Sequence, residues 1–225
     1  MKNILHKLTI PKAIQLLTVA APTALVIALT GCVSHGYDKE TATGANLRDS
    51  SGRITATQKK LEDTMGSLNE LVNNTRPDLR PQYQKFSGNV DELASMAKSV
   101  EEHVSAMASK GKVYFAQWDQ QLGSIQNEGL RNRGETRETE VASEFTNIER
   151  QYVETSMAFK PLMSDLRDVQ KYLGTDLTQG GISSVKETVI KANAEASKVK
   201  ESVNSLAAKF NSLGVSLSWA AVPPK

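Results

Sequence analysis

From residue 46 onward the apolar positions recur by threes and fours, and polar or proline-bearing breaks cut that recurrence into four runs. Leu47, Ile54, Leu61, Met65, Leu68 and Val72 form the first stripe, interrupted by Ser51 and Gln58. It ends at "NNTRPDLRP", where Pro77 and Pro81 bias the preceding residues away from helical backbone geometry. The second stripe is Tyr83, Phe86, Val90, Leu93, Ala97, Val100, Val104, Met107, Gly111, Tyr114, Trp118, Gln121 and Ile125, with Gly111 and Gln121 as weak points. The polar stretch "NEGLRNRGE" closes it. A third runs Val141, Phe145, Ile148, Tyr152, Thr155, Phe159, Leu162, Leu166, Val169, Leu173, with Pro161 predicting a kink. After "GTDLTQGG" comes the fourth: Ile182, Val185, Val189, Ala192, Ala196, Val199, Val203, Leu206, Phe210, Leu213.

This spacing holds one stripe against a partner helix lying nearly side by side. Four such stripes without strand-like alternation predict an all-α fold: an elongated antiparallel four-helix bundle with coiled-coil-like heptad packing over residues 46–214. Residues 215–225, ending in two prolines, are expected to be a tail. Aromatics make up 5% of the chain, which suits a narrow core and leaves little material for a deep pocket. Each seam aromatic, Trp118 included, reads first as core packing.

The residues before the bundle have a different character. Lys2, Lys7 and Lys12 precede the apolar segment "AIQLLTVAAPTALVIA", and small residues follow it. That is the layout of a secretory signal over residues 1–31. Its end, Leu29-Thr30-Gly31-Cys32, resembles the bacterial lipobox. The resemblance implies a diacylglycerol on the Cys32 thiol, cleavage before Cys32 and acylation, palmitate among the chains, of the new amino group. A transmembrane anchor is the competing reading of Ala13–Val33, but Thr18 and Pro22 interrupt it. Cys32 is the one cysteine of the chain, so the mature protein forms no internal disulfide and Cys32 reads as a handle for lipid. Several acyl chains at about 0.8 kcal/mol per buried CH₂ hold a protein on a membrane durably. Val33, rather than an aspartate, follows the cysteine. In Gram-negative lipoproteins this implies the outer membrane, facing the periplasm. Residues 32–45, polar and small, read as the lipidated cysteine and a flexible tether.

Charge changes once the signal is set aside. The chain has 27 Lys+Arg and 25 Asp+Glu, and the signal takes three lysines and no acids, leaving 24 against 25, a net of −1. A near-neutral domain has no global electrostatic reason to bind nucleic acid. The mature chain has two histidines, His35 and His103, and no Glu-x-x-His pair, so the carboxylate–histidine ligands of a di-iron bundle are missing. With its single cysteine given to lipid, no zinc cluster forms, and no Gly-x-Ser-x-Gly elbow, Walker loop or Gly-x-Gly-x-x-Gly is present. No catalytic residue, metal ligand or cofactor is therefore assigned. His103 reads as a solvated surface residue. Arg131, Arg133 and Arg137 are the one local concentration of positive charge, a candidate contact for anionic lipid or polymer. Glu128, Glu135, Glu138 and Glu140 lie among them, which also fits a solvated connection.

"FAQWDQQLGSIQNEGLR" and "KPLMSDLRDVQKYLGTDLT" resemble the signature of a family of bacterial lipoproteins catalogued as domain of unknown function 2959. Phe115, Trp118, Ile125, Asn127, Leu130 and Arg131 carry the first stretch; Pro161, Asp168, Leu173 and Asp176 carry the second. The resemblance spans roughly residues 47–215 and implies an exported helical lipoprotein without supplying an activity. The sequence reading is a non-catalytic scaffold or interaction module, anchored to membrane through Cys32 and meeting an envelope protein or another copy of itself. The alternative is a lipid- or acyl-chain-binding envelope protein, which needs an apolar groove where a scaffold has a closed core.

Overall fold

A computed structural model describes residues 36–74 and 77–218, and the protein is described over these. The expected signal over residues 1–31, with the expected lipobox Leu29-Thr30-Gly31, as well as Cys32 and the last seven residues, lie outside them. Four helices follow in order: α1 (Gly36–Val72), α2 (Arg80–Gly123), α3 (Glu128–Thr175) and α4 (Gln179–Ser216). No strand occurs among the described residues.

Successive helices pack on each other, and α4 closes the ring against α1, while the diagonal pairs hardly meet. Interhelix pairs run in opposite directions along every interface, which makes the bundle antiparallel. Between α1 and α2, Asn89 Nδ2 donates to Ser67 Oγ at 3.0 Å, and Ser50 Oγ contacts Met107 Sδ at 3.6 Å. Between α2 and α3, Tyr83 donates to the Gln170 carbonyl at 3.0 Å. Asn69 and Asn193 exchange side-chain hydrogen bonds at 3.0 Å across α1 and α4. Gln151 donates to Ser205 at 2.9 Å across α3 and α4.

The four predicted stripes form the core. Leu47, Leu68, Phe86, Leu93, Leu162, Leu166, Leu173 and Phe210 are fully buried. Satisfying helix ends defines the connections. Asn127 Oδ1 accepts the Leu130 N–H at 2.9 Å at the start of α3, and Thr178 Oγ1 accepts the Gly181 N–H at 3.1 Å at the start of α4. Thr178 in turn donates to Asp176 at 2.7 Å, tying the exit of α3 to the entry of α4. Gln179 Nε2 donates to the Asn74 carbonyl at 3.4 Å, so the α1–α2 and α3–α4 connections share one end of the bundle. The α2–α3 connection, the start of α1 and the end of α4 form the other.

Three boundaries differ from the sequence expectation. Residues 36–45, expected within the 32–45 tether, are the first turns of α1. The second of their two glycines is a contact rather than a breaker: a Cβ on Gly44 would lie 2.7 Å from the Gly214 carbonyl oxygen and 3.1 Å from that of Leu217. Only glycine lets the α1 and α4 backbones approach this closely. Residues 215–218, expected within the tail, belong to the bundle: α4 runs to Ser216, and both Leu217 and Ser218 are buried. The α2–α3 connection is 124–127, so "NEGLRNRGE" starts a helix rather than filling a loop. Gly111 does not weaken α2, since it receives the Phe145 ring of α3, and α3 runs unbroken through Pro161.

Candidate functional site

Two places in the bundle have features beyond simple packing: the end where the chain enters from Cys32, and a cavity at mid-length.

At the entry end, α2 and α3 form a hairpin whose inner surface is aromatic. Tyr114 is buried, and its ring centroid lies 5.2 Å from Phe115 and 5.5 Å from Trp118. Phe115 stacks on Trp118 at 6.5 Å and meets Phe145 edge-on at 5.6 Å. Burial, with Glu40 and Glu138 nearby, pushes the Tyr114 hydroxyl well above its ordinary value, so it stays neutral. The Glu138 carboxyl is also pushed up, first by desolvation and then by Asp119 and Glu135. Phe115 and Trp118 are only partly buried, and Leu130 is 49% exposed.

The arginines expected at a connection sit on the first turns of α3. Arg131 reaches Glu135 at 3.9 Å and donates to the Ile125 carbonyl at 3.3 Å. Arg137 reaches Glu140 at 3.7 Å. Arg133 makes no ion pair among the described residues. Two of the three are thus already answered by acids.

The motif residues acquire structural roles here. Asn127 caps α3, Leu130 supplies the capped N–H, and Arg131 closes back on Ile125. Asp176 ends α3 and holds Thr178, while Leu173 is core. The capping role of Asn127 was available from the sequence, since an asparagine directly before an acid-led helix is a start signal.

This cavity is a half-open, mainly apolar pocket of about 80 Å³ with walls from all four helices. Ile54, Leu61, Val100, Phe159, Val203 and Leu206 supply most of the lining. Thr155, 7% exposed, brings a hydroxyl with no hydrogen-bond partner in the protein. Burial and Glu101 push the neighbouring Tyr152 hydroxyl up to about 12. An apolar cavity of about 150 Å³ is what takes up a benzene ring. The space here is roughly half that, too small to bury an acyl chain whole in this packing. Gln58, which interrupts the first stripe, faces this cavity, and sequence periodicity had no means of showing it.

Among the described residues no cluster of three or more His, Cys, Asp or Glu is arranged to hold a metal ion. His103, expected to be solvated, is three-quarters covered and faces Asp49 of α1 at 3.2 Å. That distance suits an ion pair, but the geometry is not that of a hydrogen bond. No described helix is long and apolar enough to cross a membrane.

No curated protein and no solved structure matches the chain. One family model does, over residues 32–213, nearly the whole length of the bundle. The chain belongs to the family described as protein of unknown function (DUF2959).

Proposed function

We propose that this protein is a lipid-anchored component of the bacterial cell envelope, held through Cys32, whose helical bundle is a non-catalytic scaffold for an envelope protein or for another copy of itself. The observation that carries the reading is the position of Leu29-Thr30-Gly31-Cys32 between an apolar export segment and the start of α1. The family match begins at Cys32 itself, so the shared part of the chain starts where a processed lipoprotein starts. Val33 after the cysteine favours the periplasmic face of the outer membrane. Scaffolding is favoured over acyl-chain carriage by the small cavity and by seams whose leucines are fully covered.

The test is fractionation of cells expressing Cys32→Ser. The variant loses acyl labelling and leaves the membrane fraction, or accumulates with its signal uncut. Normal processing and membrane retention after a high-salt wash would remove the anchor from the account.

A further inference from the structure

We infer that the entry end of the bundle is a lipid-surface contact: Ile125, Leu130 and the exposed edge of Trp118 seat in the interfacial layer of the bilayer that carries the Cys32 lipid. This rests on the anchoring reading above and adds what the protein touches once anchored.

Chain length puts the contact within reach. Four residue steps separate Cys32 from Gly36, a span of at most about 14 Å when fully extended. The α2–α3 connection ends close to Gly36 along the bundle axis. From the Ser50–Met107 contact, α1 runs 14 residues back to Gly36 and α2 runs 16 residues on to Gly123. At 1.5 Å per residue the two ends differ by about 3 Å. The fourth helix does not share this end fully. From the Gln151–Ser205 contact, α4 has 11 residues left to Ser216, while α3 has 23 back to Glu128. The hairpin therefore overhangs α4 by about 18 Å, flanked by the start of α1. A lipid on Cys32 brings this overhang, together with the start of α1, toward the headgroups ahead of the far end of the bundle.

The chemistry of the overhang suits the interface rather than an anionic patch. Phe115 and Trp118 are partly exposed, Leu130 is half exposed, and Ile125 is partly exposed in the connection itself. Tryptophan and tyrosine favour the headgroup level of a bilayer, where one side of the ring is apolar and the other wet. Between residues 119 and 137 three acids (Asp119, Glu128, Glu135) balance three arginines (Arg131, Arg133, Arg137). Arg131 and Arg137 are answered by Glu135 and Glu140, so little net attraction to anionic lipid remains. The contact is carried by apolar burial and survives high salt. The opposite end presents Asp78 and Arg80, paired at 2.9 Å, and exposes Pro77.

Because lipid occupies Cys32, a second cysteine is the single free thiol of the mature chain. Gln126→Cys at the overhang and Asp78→Cys at the far end are each labelled with an environment-sensitive fluorophore on the full lipidated protein. The proteins are placed in phosphatidylethanolamine–phosphatidylglycerol vesicles with brominated acyl chains, and intact mass confirms the lipid on each. The expected result is several-fold stronger quenching at position 126 than at 78, unchanged by high salt and reduced by Leu130→Glu. Equal quenching at both positions on acylated protein overturns the contact and leaves the anchor standing. Quenching abolished by salt overturns the apolar basis. A shift at 126 that needs no vesicles and grows with protein concentration assigns the surface to a second copy instead. A chain whose Cys32 is an unmodified thiol removes the anchor and this contact together.

Discussion

Alanine at Gly44 separates a bundle that includes the first turns of α1 from one that starts at residue 46. A Cβ there meets three backbone atoms: the Gly214 carbonyl oxygen at 2.7 Å, and the Leu217 oxygen and carbon at 3.1 and 3.2 Å. Backbone atoms of a neighbouring helix cannot rotate aside as a side chain does. Restoring an ordinary 3.4 Å contact requires α1 and the end of α4 to separate by about 0.7 Å, beside the fully buried Leu47 and Leu217. Overpacking of this kind costs about 1–3 kcal/mol, and three backbone contacts place the site toward the upper end. Alanine's helix propensity returns about 1 kcal/mol. The net expectation is a loss of about 1–2 kcal/mol, or about 3–6 °C in Tm for a domain of this size. Gly66 is the internal control. It lies in the same helix, is exposed, and a Cβ on it meets nothing within 4 Å. Gly66→Ala keeps only the propensity gain and raises Tm by about 2–4 °C. The assay is thermal unfolding followed by circular dichroism, with amide exchange over residues 44–50 to reveal a fray confined to this end. If Gly44→Ala stabilises as Gly66→Ala does and leaves exchange unchanged, the α1–α4 backbone contact is refuted.

Leu166→Ala, at a position with no exposure, is expected to cost about 2–5 kcal/mol in a denaturant titration, whereas Lys160→Ala on the exposed side of α3 stays within about 0.5 kcal/mol. Comparable losses at both would contradict the seam. Asn127→Ala removes the side-chain acceptor for the Leu130 N–H and should lower stability by about 1 kcal/mol, while Asn127→Asp largely preserves it. A loss as large for aspartate as for alanine argues against capping. For Tyr152 the folded hydroxyl is pushed from 10.0 to about 12, so the unfolded chain releases its proton first as pH rises. Stability is retained below about pH 10 and lost between about pH 10 and 12; Tyr152→Phe reduces that alkaline loss in a pH series of melting curves. An unchanged alkaline slope would show that Tyr152 is not shielded in the fold.

Much of the bundle was readable because burial repeats at helical spacing: Val141, Phe145, Ile148, Leu162, Leu166, Val169 and Leu173 of the third stripe are all buried. The ends were harder. Gly44 and the polar residues around it look like a tether, since periodicity counts large apolar side chains. Packing of α1 on α4 at that point uses the absence of a side chain. Gly111 misleads for the same reason, its lack of a Cβ being what admits Phe145. At the overhang the seam slips by one: Gln121 is exposed and Leu122 is buried, directed onto Gly134 of α3. The charged run after Asn127 suggested a loop because arginines and glutamates suit both solvent and an exposed helix face. Only the capping bond distinguishes the two. The cavity was not legible, because it depends on how Ile54, Val100, Phe159 and Val203 from four helices fail to fill one level.

The central claim is that Cys32 is where the mature protein begins and where lipid holds it. Intact-mass measurement of protein extracted from membranes, with fragmentation of its amino-terminal peptide, tests this directly. The account predicts a chain starting at residue 32, with a diacylglycerol thioether on the cysteine and an acylated amino group. A chain that keeps residues 1–31, or one that carries Cys32 as a free thiol, would contradict it.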